Sequence, residues 1–464
     1  MNDSEKLDAI IIGSGQAGKP LASTLAGAGW HTALIERAFV GGTCVNVGCT
    51  PTKTMVASAR VAYLARRAAD YGVAADEVRV DLARVVERKR KLVERFRNYS
   101  TQRLQETKNL ELIFGEARFV DPSTVEVTLR GGGTRRLSAP KIVINSGGRP
   151  AVPPVPGLSE VPYLDSSSVM ELTETPRHLL VLGGGYIGLE FAQMFRRFGA
   201  EVTVLEGLPR LAPREDEDVA AALRGLLEED GLRIETGARV ERVAHAADGG
   251  VAVSFDRDGK VLTVQGSHLL VAVGRRPNTE SLNLAAAGID VDRAGFIPVD
   301  DTLATRVPGI YAVGDVKGGP AFTHIAYDDF RILRARWLRD EDARVGERPV
   351  PNVVFIDPQL ATVGLNETQA RSRGLDFRVA KLGMNGFARA LEMDEARGFV
   401  KVIVDARSGQ ILGCTVLGVE GGEIMSMLQI AMMGRLPYTA LKEAIFAHPT
   451  LAEGLNNVFL ALDR

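Results

Sequence analysis

Two segments of this 464-residue chain carry the same strand, glycine-rich turn, helix and strand in succession, and that repetition restricts the fold more than any other feature. In the first, Asp8-Ala9-Ile10-Ile11-Ile12 reads as a buried parallel strand, Gly13-Ser14-Gly15-Gln16-Ala17-Gly18 as the turn, and Pro20 to Ala26 as a small-residue helix. The next strand, Thr32-Ala33-Leu34-Ile35, ends in Glu36. A G-x-G-x-x-G turn alone is a weak signal, because glycine-rich turns are common. In this setting, with an acid about twenty residues on to hold ribose hydroxyls, it specifies a dinucleotide-binding fold whose helix N-terminus receives the pyrophosphate. The pattern recurs as His178 to Leu182, then Gly183-Gly184-Gly185-Tyr186-Ile187-Gly188, a helix from Leu189 to Phe198, and Glu201 to Leu205 ending in Glu206. One chain is therefore expected to bind two dinucleotides.

Between and after these copies, Ile142 to Pro150 reads as a strand returning to the first fold, and Leu269 to Asn278 as its counterpart in the second. Each is a crossing point between domains. Ile310-Tyr311-Ala312-Val313-Gly314-Asp315 is a further strand, and its terminal acid either accepts hydrogen bonds from polyol hydroxyls of a flavin side chain or is an ordinary turn aspartate. From about Pro349 the strand-like runs Phe399–Val404 and Ile411–Leu417 indicate an antiparallel sheet with helices packed on it. The expected class is α/β, with two Rossmann-like dinucleotide-binding domains and a C-terminal α+β domain. The expected limits are 1–150, 151–276, 277–348 and 349–464.

A net charge of −2 argues against nucleic acid or an anionic membrane as a partner. The polar, acidic start from Met1 to Asp8 reads as no signal peptide, and no apolar run approaches the roughly 20 residues that span a bilayer. Three cysteines in so long a chain fit a cytoplasmic setting better than a secreted disulfide framework.

Two of those cysteines, Cys44 and Cys49, stand in Gly41-Gly42-Thr43-Cys44-Val45-Asn46-Val47-Gly48-Cys49-Thr50-Pro51-Thr52-Lys53. The C-x-x-x-x-C spacing allows a one-turn loop to close as a disulfide. Gly41, Gly42 and Gly48 let the backbone approach a flat ring, and Thr50-Pro51 looks like the start of a helix whose amides favour an anionic sulfur. A redox switch beside a cofactor is the indicated reading; a structural disulfide and two unrelated core cysteines are the alternatives.

In order along the chain, these motifs and the C-terminal Ala447-His448-Pro449-Thr450-Leu451-Ala452-Glu453 resemble the FAD-dependent pyridine nucleotide-disulfide oxidoreductases of the dihydrolipoamide dehydrogenase, glutathione reductase and mercuric reductase type. The resemblance covers essentially the whole chain. It implies FAD bound by Gly13, Gly15, Gly18, Glu36, Gly42, Thr43, Lys53, Gly147, Gly314 and Asp315, and NAD(P)H bound by Gly183, Gly185, Gly188, Glu206 and Gly274. Cys49 would lie against the flavin and Cys44 would face substrate. The resemblance also implies a homodimer in which His448 and Glu453 enter the partner's disulfide site, His448 as acid and base and Glu453 fixing its tautomer. Lys53 and Glu190 resemble the family pair beside the flavin's reacting nitrogen.

Glu206 would repel a 2'-phosphate and so favours NADH, although Arg210 and Arg214 lie near enough to reach one. The substrate is harder to read. Dihydrolipoamide dehydrogenases usually carry Ile-Pro-Ser-Lys where Thr50-Pro51-Thr52-Lys53 stands. Glutathione-type reductases place arginines where Gly207 follows Glu206. Mercuric reductases share Val-Asn-Val-Gly-Cys but end in a vicinal cysteine pair, whereas this chain ends Phe459 to Arg464 without cysteine. The segments Ala321–Arg331 and Gly434–Tyr438 look closest to the mercuric-reductase-like branch that includes the reactive-chlorine-resistance flavoproteins. The first expectation is reduction of a small or carrier-bound disulfide such as lipoamide; the second is reduction of a soft metal ion, mercury or copper, or an oxidant-linked role. The third is a low-turnover flavoprotein redox sensor. No resident metal is expected. Met425, Met427, Met432 and Met433 read as core or dimer interface, Cys414 as a buried inert thiol, and the basic run Arg88-Lys89-Arg90-Lys91 as the solvated face of an amphipathic helix over Leu82–Thr107.

Overall fold

The computed structural model describes residues 4–463 except Asp248 and Glu347. These form two compact units. The first comprises the residues up to Thr54, Arg84–Ala151 and Gly274–Arg348; the second comprises Met55–Ala83, Val152–Val273 and the chain from Pro349.

In the first unit, the strand Ala9–Ile12 pairs in parallel with Thr32–Glu36 on one side and Lys141–Ile144 on the other, and Ile310–Ala312 extends the sheet in parallel beyond Lys141–Ile144. All four residues of Ala9–Ile12 are buried because both faces of the sheet are covered. Ile10 and Ile12 point into a core with Phe119 and Val125, while Ala9 and Ile11 point into one with Leu21, Leu25 and Phe330. The alternation is that of a pleated strand.

Four helices of this part of the chain position the site: α1 (Gly18–Gly27), α2 (Gly42–Asn46), α3 (Cys49–Arg66) and α4 (Leu82–Gln105). In α4, Val86 and Val93 are buried as their spacing requires, but Lys89 is also buried, with 3% of its surface exposed. Positions 86, 89 and 93 share one helical face, so Lys89 departs from the solvated reading given to the basic run around it. The long strand Leu110–Asp121 is a feature the sequence did not disclose. Its first half pairs in parallel with Thr32–Glu36 and its second half antiparallel with Thr124–Leu129. The switch falls at Gly115, where a Cβ would stand 2.5 Å from the Thr128 carbonyl oxygen.

The second unit repeats the parallel arrangement in four strands, ordered Arg233–Thr236, Glu201–Glu206, His178–Leu182 and His268–Val271. Its C-terminal part is a five-stranded antiparallel sheet, Asn352–Val354, Gln359–Gly364, Ile411–Gly418, Phe399–Asp405 and Phe377–Gly383, covered by the helices Gly421–Met433 and Gly454–Leu460, as the composition change had indicated. Cys414 lies in this core, where burial pushes its thiol up to about 12. Met425 is buried there too, whereas Met433 is exposed. The chain leaves the first unit after Ala151 and re-enters it at Gly274. The two flanking strands, Gly148–Pro150 and Arg275–Pro277, pair antiparallel within the first unit.

Among the described residues, no helix is long and apolar enough to cross a membrane, and no cluster of three or more His, Cys, Asp or Glu could hold a metal ion.

Candidate active site

Cys44 sits half-buried on α2, and Cys49 opens α3 with its side chain exposed; both are free thiols. The Thr323 hydroxyl, at the first turn of the helix Thr323–Arg339, lies 3.2 Å from the Cys49 sulfur. The hydrogen bond from the Cys44 thiol holds Cys49 down to about 6 against the desolvation of the sulfur by its neighbours, with help from Thr323, the Lys53 ammonium and its own amide. The same hydrogen bond, then burial, then the charge on Cys49 push Cys44 far up; Thr323 and Lys19 oppose that rise. When the pair is half-ionised, the charge rests on Cys49 and the proton on Cys44. That asymmetry is the chemical content of the site, because a thiolate and not a thiol is the nucleophile and electron donor.

The first glycine turn is shaped to hold a dinucleotide. A Cβ on Gly13 would lie 2.3 Å from the Asn145 carbonyl oxygen, and one on Gly18 would lie 2.1 Å from the Gly13 carbonyl oxygen. The turn is thus locked against both the neighbouring strand end and its own helix. Asn145 Nδ2 donates to the Gly13 carbonyl at 2.9 Å. Glu36 accepts from the Ser14 amide at 3.0 Å, the Ser14 hydroxyl at 2.6 Å and the Ala38 amide at 2.8 Å. Beside this turn the Ser146 hydroxyl is buried with no hydrogen-bond partner in the protein, an orphaned polar atom of the kind a bound cofactor satisfies. Gly314 packs on Asn145 as well, and Asp315 is half-buried 3.7 Å from the Arg275 guanidinium. Gly147 has open space where its side chain would be. Gly42 stands against Gly15, with Thr43 following it on α2. These residues fit FAD.

The second turn reproduces the first almost atom for atom. A Cβ on Gly183 would lie 2.5 Å from the Ala272 carbonyl oxygen, and one on Gly188 would lie 2.1 Å from the Gly183 carbonyl oxygen. Glu206 accepts from the Gly184 amide at 2.6 Å and the Leu208 amide at 2.8 Å. Gly185 and Gly274 face open space, and Arg210 and Arg214 are exposed. A pyridine nucleotide fits here.

His448 Nδ1 is 2.8 Å and 3.0 Å from the two Glu453 carboxylate oxygens, so the expected histidine–carboxylate pair is formed. Glu190 is buried and accepts from the Phe355 amide at 2.8 Å. Lys53 lies on α3 one turn from Cys49.

Five residues at these sites were given no role of their own from the sequence. Thr323 reaches the sulfur from 274 positions away. Asn145 ends an ordinary strand, and only the fold turns it onto the first glycine turn. Asp329, fully buried, accepts from the Gly314 amide at 2.8 Å, and burial pushes its carboxyl up to about 6 against the pull of Lys317. Tyr186 donates to Glu215 at 2.6 Å; burial raises both groups. The last is Lys19.

Comparison with known proteins bears directly on this arrangement. Residues 7–329 match the pyridine nucleotide-disulphide oxidoreductase family, and residues 350–459 match its dimerisation domain. The chain is 40% identical to the probable pyridine nucleotide-disulfide oxidoreductase RclA of Escherichia coli over 98% of this chain and 99% of that protein. It is 36% identical to a mercuric reductase of Bacillus cereus, over 98% of this chain and 72% of that enzyme. A dihydrolipoyl dehydrogenase of Geobacillus stearothermophilus is 32% identical over 96% of this chain and 94% of its own length. Among solved structures, a Cu(II) complex of the HOCl-induced flavoprotein disulfide reductase RclA of Escherichia coli superposes with a TM-score of 0.90 at 39% identity, covering 98% of this chain and 99% of the other.

Proposed function

The chain belongs to the pyridine nucleotide-disulfide oxidoreductases, and from that premise we propose that its Cys44–Cys49 pair delivers electrons to a small external acceptor in an oxidant-response role. The enzyme is NAD(P)H-dependent and its cofactor is FAD. The observation that carries the proposal is the pair of free thiols Cys44 and Cys49, with the Thr323 hydroxyl 3.2 Å from the Cys49 sulfur.

When bound, FAD would supply the ring that takes reducing equivalents from the nicotinamide and passes an electron pair to the Cys44–Cys49 disulfide. Residues 1–150 with 277–348 would hold it, residues 151–276 the nucleotide, and residues 349–464 the interface of a cytoplasmic homodimer. Two electrons and one proton open the Cys44–Cys49 bond and leave a Cys49 thiolate and a Cys44 thiol. With a disulfide acceptor, the partner subunit's His448 takes the Cys44 proton, and Cys44 attacks one sulfur and expels a thiolate. Cys49 then attacks the Cys44 sulfur, expels the second thiolate and restores the internal disulfide. Glu453 fixes the tautomer of His448 throughout.

The near full-length match to RclA favours an acceptor of the oxidant-response type over the lipoamide first expected. A second reading, Cu(II) as acceptor, is supported by the Cu(II) complex of RclA and by two soft sulfur donors at the end of the electron path. One dithiol would reduce two Cu(II) to Cu(I). Mercuric ion is a further candidate, supported by the similarity to a mercuric reductase. The test is steady-state oxidation of NADH and NADPH by FAD-loaded protein with small disulfides, lipoamide, cupric ion, mercuric ion or oxygen alone. Turnover on small disulfides or cupric ion that is lost in Cys44→Ser supports the proposal. Preferred turnover on lipoamide would return the enzyme to the dihydrolipoamide dehydrogenase type.

A further inference from the structure

The segment that joins the two cysteines is tied to its own beginning and to α4 through one side chain, Asn46, which stands two residues after Cys44 and three before Cys49. Asn46 Nδ2 donates to the Gly42 carbonyl at 2.9 Å and the Val40 carbonyl at 3.1 Å, and reaches the Phe39 carbonyl at 3.4 Å. The amide nitrogen therefore commits both of its hydrogens to the turn that leads into Cys44. Asn46 Oδ1 accepts from Arg97 Nε at 2.8 Å, across 51 positions of sequence. Carbonyls only accept and a guanidinium only donates, so the Asn46 amide is fixed in this orientation from both sides. The Arg97 guanidinium also lies over the Phe39 ring, 4.0 Å from its centre. Arg97 stands one turn beyond Val93, whose buried side chain anchors that face of α4. A rigid helix thus grips the cysteine segment at its middle, through Asn46, and at its entry, through Phe39.

We propose that Arg97 is a positioning residue for the redox reaction: through Asn46 it holds the segment from Cys44 to Cys49 in the form in which the two sulfurs can join. The inference rests on the reading of Cys44 and Cys49 as the redox couple. A disulfide closes only when the two Cα atoms lie within about 7 Å. A segment free to open loses that freedom each time the bond forms, whereas a segment already clasped does not. Both cysteines are free thiols here and the clasp is intact, so the reduced segment is held ready to close. The clasp raises the effective concentration of one thiol at the other, which favours the disulfide and speeds the attack of Cys49 on a mixed disulfide at Cys44.

The experiment equilibrates FAD-loaded protein anaerobically with dithiothreitol and its oxidised form. The protein disulfide and dithiothreitol exchange for the protein dithiol and cyclic oxidised dithiothreitol, and the ratio is read by acid quench, alkylation and mass spectrometry. Arg97→Met is expected to raise the equilibrium constant for reduction about 10-fold, a potential about 30 mV less negative. Arg97→Lys, which keeps a donor and a cation, should return it to within about 3-fold of wild type. Asn46→Ala should shift the constant at least as far as Arg97→Met, and the variant carrying both changes no further, because Arg97 acts through Asn46. Turnover on a small disulfide should fall in Arg97→Met while NADH oxidation by ferricyanide, which takes electrons from the flavin without the dithiol, stays at the wild-type rate. A merely structural arginine would lower both rates together. A wild-type constant in Arg97→Met, or shifts that add in the double variant, overturns the proposal, and the Met and Lys variants decide the question even if Asn46→Ala folds poorly. The reading beneath it is checked by the wild type alone: no reversible Cys44–Cys49 disulfide removes the couple itself, whereas a reversible couple indifferent to Arg97 overturns only this inference.

Discussion

Gly42 stands so close to Gly15 that a Cβ on Gly42 would lie 2.8 Å from the Gly15 Cα. The first residue of the helix that carries Cys44 is therefore seated on the dinucleotide turn itself. Gly42 also has φ of +60°, a conformation that costs other residues about 1 kcal/mol. Gly42→Ala combines that strain with an overlap against backbone, which cannot rotate away. We expect FAD retention and NAD(P)H-dependent turnover to fall together, by about 10-fold or more, as read from the flavin absorbance of purified protein. Gly185→Ala is the control. Its Cβ would meet nothing within 4 Å, so FAD content should stay at the wild-type level while the KM for nucleotide rises.

The pH behaviour of the reduced enzyme follows from Cys49. Its pKa falls from 9.0 to about 6, so its thiolate persists through neutral pH. Because the folded value is depressed, the stability this group contributes is full above about 9, where the unfolded chain also ionises, and is lost as pH falls through about 6. Reduced enzyme should accordingly lose both thiolate absorbance and thermal stability as the pH is lowered from 7 toward 5, measured on anaerobic samples against a Cys49→Ser control. A thiolate signal that instead vanishes between pH 8 and 9 would contradict the assignment.

Asp329 is the acceptor for the Gly314 amide, next to Asp315, and lies 3.2 Å from the Arg348 guanidinium and 3.4 Å from the Lys317 ammonium. Asp329→Ala removes an acceptor and a counter-charge together from a fully buried position, a loss of about 3 kcal/mol or more. Asp329→Asn keeps an acceptor. Thermal unfolding and FAD release should rank wild type, Asn and Ala in that order, and an Ala variant as stable as Asn would show that the hydrogen bond to Gly314 is immaterial.

Glu206 braces the second glycine turn, and in our proposal it also faces the adenosine ribose of the bound nucleotide. Glu206→Gln keeps an acceptor for one of the two amides, Gly184 or Leu208, and removes the charge that repels a 2'-phosphate. The ratio of kcat/KM for NADPH to that for NADH should rise about 10-fold in this variant. An unchanged ratio takes Glu206 out of nucleotide selection.

What the sequence disclosed was local. The two glycine turns, their terminal acids Glu36 and Glu206, and the His448–Glu453 pair are each set by residues within one strand-turn-helix unit or one short loop. What it withheld depends on which distant elements the sheets bring together. Thr323 reaches Cys49 across 274 positions. Asn145 locks the first turn because Lys141–Ile144 pairs beside Ala9–Ile12. Asp329 meets Gly314 only because its helix packs under that strand end. Lys89 looked solvated within a run of four basic residues, and burial followed instead from the face it shares with Val86 and Val93. The partner switch at Gly115 belongs to the same class, since it requires knowing that one strand serves two neighbours.

The central claim is that electrons reach the acceptor through Cys49 and then Cys44. Anaerobic two-electron reduction of FAD-loaded protein, followed by long-wavelength absorbance, tests it most directly. The account predicts a charge-transfer band in the wild type that Cys44→Ser retains and Cys49→Ser abolishes. A band of wild-type strength in Cys49→Ser would contradict it.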